Sequence, residues 1–546
     1  MSAFRTVSPA EDRLLDAALQ QVLAETPVPA STPRSPHWLL VAMLLLALGI
    51  TATTMWQARL ATSDEAQEPL RIGLPDEVHA RNLDELAALP ADTANLRLTL
   101  VDPRDLAAIS RFEGLRALHL GQERSSLLGI STGYHRCWTT PPEDLFEPLA
   151  KLTKLEVLGV PCPLAAATGL LAPLANHPAL QTIEVSGDGL AIDERLVRCL
   201  ATVSRLKAVK LHLVPIDAAT LRALARLPLT SLELKFCRGL DRDGWQALMT
   251  MRTLQRLSFQ DWSWNVVPEG EQRAPGWRPG PAELERLREL PALRTLELNH
   301  CGIETDQLDA LPDTLTSLHL FGNSLAPSNL DGLRRFGNLR ELTIDTRRRG
   351  SLIASAMAPD PEPEAKALAT AIATLRLHSL HYHGALVPEL ATAVGSNPDL
   401  RELTIDSKVL DPEALTRLLG TTQLETLRLR RTFSAHAATT SQLVRTLAGQ
   451  RRLRLLELPV DDLEDLRALA ALPQLEHLTL AFSTQSADRA IDPAQLVPLA
   501  HAGALRDLVL RTYQVAGQPP IATRPLQEAL GTTIRLHVQT WGVVPR

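Results

Sequence analysis

Leucine recurs along most of the chain in one short spacing pattern. In a clear copy, Leu293, Leu296 and Leu298 are followed by Cys301. The last three residues of Leu-x-x-Leu-x-Leu alternate between leucine and a variable residue, which is the period of a short β-strand with one apolar face. One such strand cannot bury its leucines alone, whereas strands from successive copies stacked in parallel bury them in a shared core. The pattern therefore predicts a long parallel sheet with leucines on its inner face.

Copies of the pattern extend over roughly residues 95 to 540, and successive copies mostly begin 22 to 30 residues apart. Their first leucines are Leu115, Leu155, Leu180, Leu206, Leu229, Leu254, Leu293, Leu315, Leu339, Leu377, Leu400, Leu424, Leu453, Leu475 and Leu505. This spacing resembles the leucine-rich repeat family. The resemblance implies an α/β solenoid shaped like a horseshoe, with the parallel sheet on its concave face and helices on its convex face. It also implies that the protein binds a ligand, but it does not say which.

Two further signals lie after the predicted strands. Three residues after the last leucine, Cys237, Cys301 and Asn323 occupy a position that faces inward in the family and satisfies backbone groups of the turn. An apolar residue followed by Asp recurs further along the repeat, and Asp is a favoured helix N-cap. These pairs are Ile192-Asp193, Ile216-Asp217, Leu240-Asp241, Leu410-Asp411 and Ile491-Asp492. Pro412 and Pro493 follow two of them at the first helical position, and Gly420 suits the end of one helix. Each repeat is therefore predicted to be a strand, a turn and a helix.

The first 75 residues of the chain differ from the repeats. Residues 1–37 form a tail with an amphipathic helix over 8–23 and a proline-rich linker over 26–36. The segment from Trp38 to Trp56 is uncharged and has a tryptophan at each end, so it predicts a single uncleaved transmembrane helix. Residues 57–75 are a polar tether, and the repeat domain occupies 76–546, beginning with an irregular cap over 76–94. Flanking arginines barely distinguish the two orientations; we expect a cytoplasmic N-terminus.

Three repeats are longer than the rest, and each carries about 15 extra residues after the carboxyl end of a strand. The insertions are 121–140 with Trp138, 260–281 with Trp262, Trp264 and Trp277, and 345–364 with an arginine run. Exposed aromatic and arginine side chains on loops often dominate binding energy. The insertions are therefore candidate binding elements. The alternative is that the tryptophans fold back and fill gaps in the solenoid.

The variable residues of four neighbouring strands make a second candidate site. Residues on the predicted concave face fall into two adjacent columns, Thr343, His381, Thr404 and Arg428 in one, and Asp345, His383, Asp406 and Arg430 in the other, with Glu341 and Glu402 beside them. Two histidines between carboxylates would be able to ligate a divalent metal. The alternatives are a solvated polar surface or the docking site of a partner. Nearby carboxylates are expected to raise the pKa of both histidines.

Composition narrows the range of possible partners and sites further. The formal net charge is -6, which does not favour nucleic acid as a partner. Only 7 of the 56 basic residues are lysines, and this bias, with abundant Ala, Leu and Pro, favours a bacterial origin. The chain has 5 cysteines but no Cys-x-x-Cys motif, so neither a disulfide framework nor a metal cluster is predicted. Cys137 and Cys162 would be able to pair only if the domain faces an oxidising compartment.

The sequence also lacks the motifs of serine hydrolases, zinc proteases, ATP-binding loops and kinases, so we expect no enzyme and no cofactor. It predicts a membrane-anchored leucine-rich repeat scaffold that binds a protein or peptide, in the cytoplasmic membrane of a bacterium. The alternative is a transmembrane signalling regulator, whose repeats sense a ligand and whose N-terminal helix relays the signal. A third possibility is a metal-dependent hydrolase on the histidine–carboxylate surface, which would lose metal in His383→Ala.

Overall fold

The computed structural model of the protein divides into two units, Met1–Gln57 and Ala58–Arg546. The residues it describes all lie in the second unit. They are 78–80, 82–98, 103–120, 146–161, 171–187, 194–237, 239–260, 277–323, 325, 327–346, 362–407, 411–421, 424–431, 444–445, 447, 449–460, 463, 466–482, 491–515 and 521–544. The predicted N-terminal helix and the segment Trp38 to Trp56 fall outside these ranges. Within them, the structure contains no helix that is long and apolar enough to cross a membrane.

The described residues form one parallel sheet of 18 strands. The strands are β1 Val78–Ala80, β2 Asn95–Leu98, β3 Ala117–Leu120, β4 Val157–Pro161, β5 Thr182–Ser186, β6 Ala208–His212, β7 Ser231–Lys235, β8 Arg256–Gln260, β9 Thr295–Asn299, β10 Ser317–Leu320, β11 Glu341–Asp345, β12 Ser379–His383, β13 Glu402–Ser407, β14 Thr426–Arg431, β15 Leu455–Val460, β16 His477–Phe482, β17 Asp507–Val515 and β18 Arg535–Val544. Each strand pairs in parallel with the strand before it and the strand after it in the sequence.

The register of the sheet places equivalent leucines side by side, as the spacing predicts. Leu232, Leu257, Leu296 and Leu318 are direct partners along β7 to β10. All four are fully buried, and so are most leucines of the pattern. Burying a leucine contributes about 2 kcal/mol relative to leaving it exposed, so the apolar ladder holds the strands in register. The leucine-rich repeat solenoid with a continuous parallel sheet is confirmed.

The turn after the strand repeats in detail. The residue two places beyond the last leucine has a positive φ in four copies, namely 57° in Leu213, 56° in Phe236, 56° in His300 and 67° in Gly322. This left-handed conformation reverses the chain so that the next residue points inward. At Gly322 a β-carbon would also collide with the His300 ring.

The inward residue that follows is the predicted Asn or Cys, and it hydrogen-bonds to the preceding repeat. The Cys237 thiol lies 3.2 Å from the Leu211 carbonyl oxygen, and the Cys301 thiol lies 3.4 Å from that of Phe259. Asn323 makes two hydrogen bonds to the preceding repeat. Its amide nitrogen donates to the Leu298 carbonyl at 2.6 Å, and its amide oxygen accepts from the Ile303 backbone N–H at 3.0 Å. The predicted role of this position is confirmed in these three repeats.

Helices follow the turns, but they are of two kinds. The α-helices are Leu83–Ala88, Glu147–Ala150, Glu194–Thr202, Ala218–Leu224, Arg242–Leu248, Pro281–Glu285, Glu362–Ile372, Pro388–Gly395, Pro412–Thr421, Arg467–Ala470, Pro493–Leu496 and Thr523–Leu530. The 3-10 helices are Pro103–Arg111, Ala172–Leu174, Arg286–Glu289, Thr305–Ala310, Pro327–Arg335 and Val497–His501. The expectation of a regular helix in every repeat was therefore too simple. Short connecting segments favour the 3-10 form, which advances further per residue than an α-helix.

The aspartate caps are placed as predicted where they are described. Asp217, Asp241, Asp411 and Asp492 each accept a hydrogen bond from a backbone N–H in the first helical turn, at 2.7 to 2.9 Å. Asp193 lies outside the described ranges. The helix Pro412–Thr421 continues one residue past Gly420, so that glycine does not end it.

The sheet is longer than the leucine pattern at both ends. In place of the irregular cap expected over 76–94, β1 pairs with β2 and the helix Leu83–Ala88 follows, capped by Asn82. At the other end, β18 continues the sheet beyond the last recognised copy, with Leu536 beside Leu508. β1 has only two apolar residues, Val78 and Ala80, and β18 has Val538 where the pattern has its last leucine, so the six-residue pattern does not detect these strands.

Candidate functional site

The face of the sheet opposite the buried leucines carries the variable residues, and we call it the variable face. Its central column consists of the residues that lie between the last two leucine positions of each strand. From β2 to β18 these are Arg97, His119, Gly159, Glu184, Lys210, Glu233, Ser258, Glu297, His319, Thr343, His381, Thr404, Arg428, Glu457, Thr479, Val509 and His537. Strands β5, β6 and β7 alternate partly exposed and buried residues, so solvent reaches this face.

The eight residues of the predicted histidine–carboxylate surface occupy the expected positions. Thr343, His381, Thr404 and Arg428 are successive partners across β11 to β14, and Asp345, His383, Asp406 and Arg430 are successive partners beside them. His383 lies between the two aspartates, and its Nδ1 is 3.1 Å from Asp406 Oδ2. His383 is only 1% exposed and Asp406 is 6% exposed, so this part of the surface is more enclosed than an open polar sheet.

Aromatic rings extend this enclosed region across four strands. The Phe321 ring lies 4.3 Å from the His383 ring, and His383 lies 4.2 Å from His381, measured between centroids. On the other side, His300 meets Phe321 edge to face at 5.1 Å. Aromatic pairs at these separations add to the stability gained from burial alone. The four rings therefore pack against one another in a row, and three of them, His300, Phe321 and His383, are buried.

The expected rise in histidine pKa is wrong for His381. Burial lowers its pKa well below 6.5, the neighbouring His383 and Arg430 add to that effect, and the charge of Asp406 opposes it. The same balance lowers the pKa of His319, where burial outweighs Glu297 and Glu341. Desolvation of an imidazolium disfavours the charged form, and here it exceeds the attraction of the carboxylates. Both rings are therefore neutral near pH 7.

A metal centre finds no support on this surface. Among the described residues, no three His, Cys, Asp or Glu side chains are disposed to hold a metal ion together. His383 and Asp406 are paired with each other, and the His381 ring lies tilted against the His383 ring. These contacts are those of a packed polar surface.

Arg428 and Arg430 of this surface form an arginine cluster with Arg511 around Glu457, and the part played by Arg511 and Glu457 was not predicted from the sequence. Arg430 donates to both oxygens of Glu457 at 3.2 Å, and Arg511 Nη1 lies 2.6 Å from Oε1. Arg428 Nε lies 3.8 Å from Oε2. Arg511 belongs to β17, two strands from Glu457, and its side chain crosses β16, where Thr479 and Ala481 are small. The small residues on β16 were the only signal available in the sequence.

A second charged network covers the N-terminal half of the variable face. Lys210 and His212 approach Glu184 at 3.7 and 3.4 Å, and His212 and Lys235 approach Glu233 at 2.8 and 2.9 Å. Burial acts to raise the pKa of Glu233, but the hydrogen bond from His212 and the two lysine charges outweigh it and hold that pKa well below its usual range. This network is nearly balanced in charge.

His119 reaches the same network from two strands away. Its Nε2 lies 3.7 Å from Glu184 Oε2, across Gly159 of β4. A β-carbon on Gly159 would collide with the His119 ring, so the glycine makes this contact possible. Long side chains that cross a strand with a small residue thus occur at both ends of the variable face.

The structure describes only one of the four tryptophans that the sequence places on the insertions. Trp277 is partly buried and its ring lies 5.7 Å from that of Trp245, which is fully buried, so it packs against the core as the gap-filling alternative predicts. Trp138, Trp262 and Trp264 belong to stretches that the structure does not describe, and their role stays a prediction. Gln260 and Asp345, counted with the insertions, are the last residues of β8 and β11.

No family model matches the sequence, and no curated protein matches it. Among solved structures, it is similar to TLR13 in a complex with ssRNA13, at 18% identity and a TM-score of 0.42 over 81% of this chain, and it spans 55% of the length of that chain. An internalin, InlF from Listeria monocytogenes, is similar at 15% identity and a TM-score of 0.35, over 67% of this chain and 88% of that one.

A leucine-rich repeat protein of Leptospira interrogans is similar at 17% identity and a TM-score of 0.30, over 75% of this chain and 96% of that one. At such identities a likeness concerns the fold alone. The assignment of the fold therefore rests on the repeat geometry of the chain itself.

Proposed function

We propose that the protein is a membrane-anchored scaffold whose repeat domain binds a protein or peptide on the variable face. The observation that carries this proposal is the central column, in which all residues from β2 to β18 except Gly159 and Val509 are charged or polar and lie at the spacing of adjacent strands. These side chains are mounted on a continuous parallel sheet, and ion pairs hold several of them, such as Lys210, Glu233 and Glu457. Binding to a preorganised surface loses less conformational entropy than binding to mobile loops.

The size of the surface also suits a macromolecule. Seventeen neighbouring strands spaced about 4.8 Å apart extend for roughly 80 Å measured along the sheet. A typical protein interface needs only about 800 Å² on each partner. A segment of a partner can therefore bind to part of the variable face. The two charge networks make the N-terminal and C-terminal parts of that face chemically different.

We propose in addition that the N-terminal segment anchors the protein in a membrane. The uncharged segment Trp38 to Trp56 supports a single membrane span, and the composition supports the cytoplasmic membrane of a bacterium. Under this proposal, the N-terminus is cytoplasmic and the repeats lie on the opposite side. Reporters active on only one side of the membrane, fused to the C-terminus, test this orientation.

A signalling regulator is the second candidate function. The amphipathic pattern over residues 8–23, with a helix-capping box at Ser8 and Glu11, favours it because a passive anchor needs no such helix. Deleting residues 1–37 distinguishes the two. A regulator loses its cellular output while still binding its partner, whereas a scaffold keeps both.

Photo-crosslinking tests the binding proposal. A photoreactive amino acid replaces Lys210, His381 or Thr479 on the variable face, and the control replaces Arg417, an exposed residue of the helix Pro412–Thr421. In native cells the variable-face positions should yield a covalent adduct with the same protein, identified by mass spectrometry, and position 417 should not. Adducts formed only from position 417, or no adduct from any face position, would contradict the proposal.

A further inference from the structure

His177 joins the turns that precede two neighbouring strands. It follows the 3-10 helix Ala172–Leu174 and is only 4% exposed. Its Nε2 lies 3.0 Å from the carbonyl oxygen of Leu152, in the turn before β4. Its Nδ1 lies 3.3 Å from the backbone nitrogen of Ala179 and 3.1 Å from that of Leu180, in the turn before β5. One buried side chain therefore connects the two repeats.

The partners of the ring determine its protonation state. A backbone N–H can only donate a hydrogen bond, and a carbonyl oxygen can only accept one. Nδ1 must therefore accept from Ala179 and Leu180, and Nε2 must carry the hydrogen that is donated to Leu152. In an imidazolium ion both nitrogens carry a hydrogen, so Nδ1 can no longer accept. Protonation of His177 and the two hydrogen bonds of the turn before β5 thus exclude each other.

The surroundings of the ring favour its neutral form. Burial lowers the pKa of His177 below 6.5, and the hydrogen bond to the Leu152 carbonyl opposes this effect only in part. The charged residues described on the adjacent helices and turns are Glu147, Lys151, Lys154, Glu156, Arg198 and Arg205. All but Glu156 are exposed, and Glu156 is paired with Arg116. Desolvation, rather than a neighbouring charge, therefore keeps the ring neutral.

Another repeat builds the same joint from a residue that does not titrate. Asn397, like His177, is followed by a proline and lies three residues before the first leucine of its repeat. Its amide nitrogen donates to the Leu375 carbonyl of the preceding repeat at 2.9 Å, and its amide oxygen accepts from the Asp399 backbone N–H at 3.3 Å. An asparagine is thus sufficient to join two repeats, and the histidine adds a dependence on pH.

We propose that His177 is a pH-sensitive joint of the solenoid, closed when the ring is neutral and opened by its protonation. The strand β5 follows this turn directly and carries Glu184, which His119, Lys210 and His212 approach on the variable face. Opening the joint therefore loosens the start of the strand at the centre of the N-terminal charge network. The device requires no particular partner, so it is independent of the proposed function.

Acidification should open this turn. The imidazole of an open turn has a pKa of about 6.5. It binds a proton that the closed turn excludes, so the closed state loses stability as the pH falls below that value. Hydrogen–deuterium exchange of the Leu180 amide in the purified full-length protein measures this loss. Its protection factor, which compares the measured rate with that of an unstructured chain at the same pH, should fall about tenfold between pH 7.5 and pH 5.0.

The substitution His177→Asn copies the side chain of Asn397 and removes the titratable ring. Protection of the Leu180 amide should then change less than twofold over this pH range, and so should that of Asp399 in the wild type. His119 and His212 remain in the variant. A fall as large as in the wild type would therefore assign the effect to them and overturn the proposal, as would constant protection of Leu180 in the wild type.

A measurement on the wild type alone covers a variant that fails to fold. Deuterium exchange at C2 of each histidine ring, followed by mass spectrometry of peptides over a series of pH values, reports the pKa and the solvent access of that ring. The His177 ring should exchange more slowly than the exposed ring of His477 and should titrate below about 6.5. A pKa at or above that value would contradict the joint.

Discussion

The substitution Asn323→Ala tests the hydrogen bonds that join successive repeats. The side chain is 1% exposed, accepts from the Ile303 N–H at 3.0 Å and donates to the Leu298 carbonyl at 2.6 Å. Alanine leaves this backbone N–H and this carbonyl without that partner in a buried turn. Each unsatisfied group costs about 1–3 kcal/mol, so the expected loss of stability is about 2–4 kcal/mol.

Because a long repeat array need not unfold in one step, the loss is best measured locally. Hydrogen–deuterium exchange of the Ile303 amide reports the free energy of opening that turn. A loss of about 3 kcal/mol accelerates this exchange about a hundredfold, since each 1.4 kcal/mol is a factor of ten. Amides of β5 and β6, which are several repeats away, should exchange at the wild-type rate.

Cys301→Ala provides the matched control. Its thiol occupies the same position one repeat earlier and contacts the Phe259 carbonyl at 3.4 Å, but a thiol is a weak donor. We therefore expect a loss of about 1 kcal/mol. If Asn323→Ala accelerates exchange no more than Cys301→Ala does, the turn does not depend on the asparagine bonds and the reasoning fails.

Three other predictions follow from single contacts. Burial acts to raise the pKa of Glu233, but the His212 hydrogen bond and the lysine charges hold that pKa below 4.5. The ionised Glu233 therefore stabilises the fold above pH 4.5, and this stabilisation is lost as the pH falls. The melting temperature of Glu233→Gln should decrease less on acidification than that of the wild type. Burial raises the pKa of the Cys237 thiol to about 12, so at pH 8 iodoacetamide should modify the partly exposed Cys199 and not Cys237, as measured by mass spectrometry; equal rates would contradict this. Trp245→Ala removes a fully buried ring and its hydrogen bond to the Glu283 carbonyl, and should lower the free energy of local opening by about 3–5 kcal/mol, as measured by hydrogen–deuterium exchange in the helix Arg242–Leu248; a smaller loss than that of Trp277→Ala would contradict the packing described.

The sequence was informative wherever one residue type at one spacing has one physical consequence. The leucine period determines which side chains face the core, and a parallel stack of such strands then determines the register. For that reason Asp345, His383 and Asp406 could be placed on neighbouring strands without a structure. The cap positions of Asp217 and Asp241 follow similarly from local backbone chemistry.

Contacts that skip a strand could not be predicted in this way. Arg511 and Glu457 are 54 residues apart and meet only because the residues between them on β16 are small. The pKa of His381 was also predicted with the wrong sign, because the sequence shows the carboxylates on neighbouring strands but not the desolvation that outweighs them. Burial depends on every surrounding side chain at once, and no local pattern reports it.

The central claim is that a protein partner binds on the variable face. Hydroxyl-radical footprinting of the full-length protein, with and without the partner identified by crosslinking, measures this side chain by side chain. The partner should reduce oxidation of partly exposed variable-face residues such as His319, His381 and Arg430, while exposed helix residues such as Arg417 react as before. Protection of the helices with the variable face unchanged would contradict it.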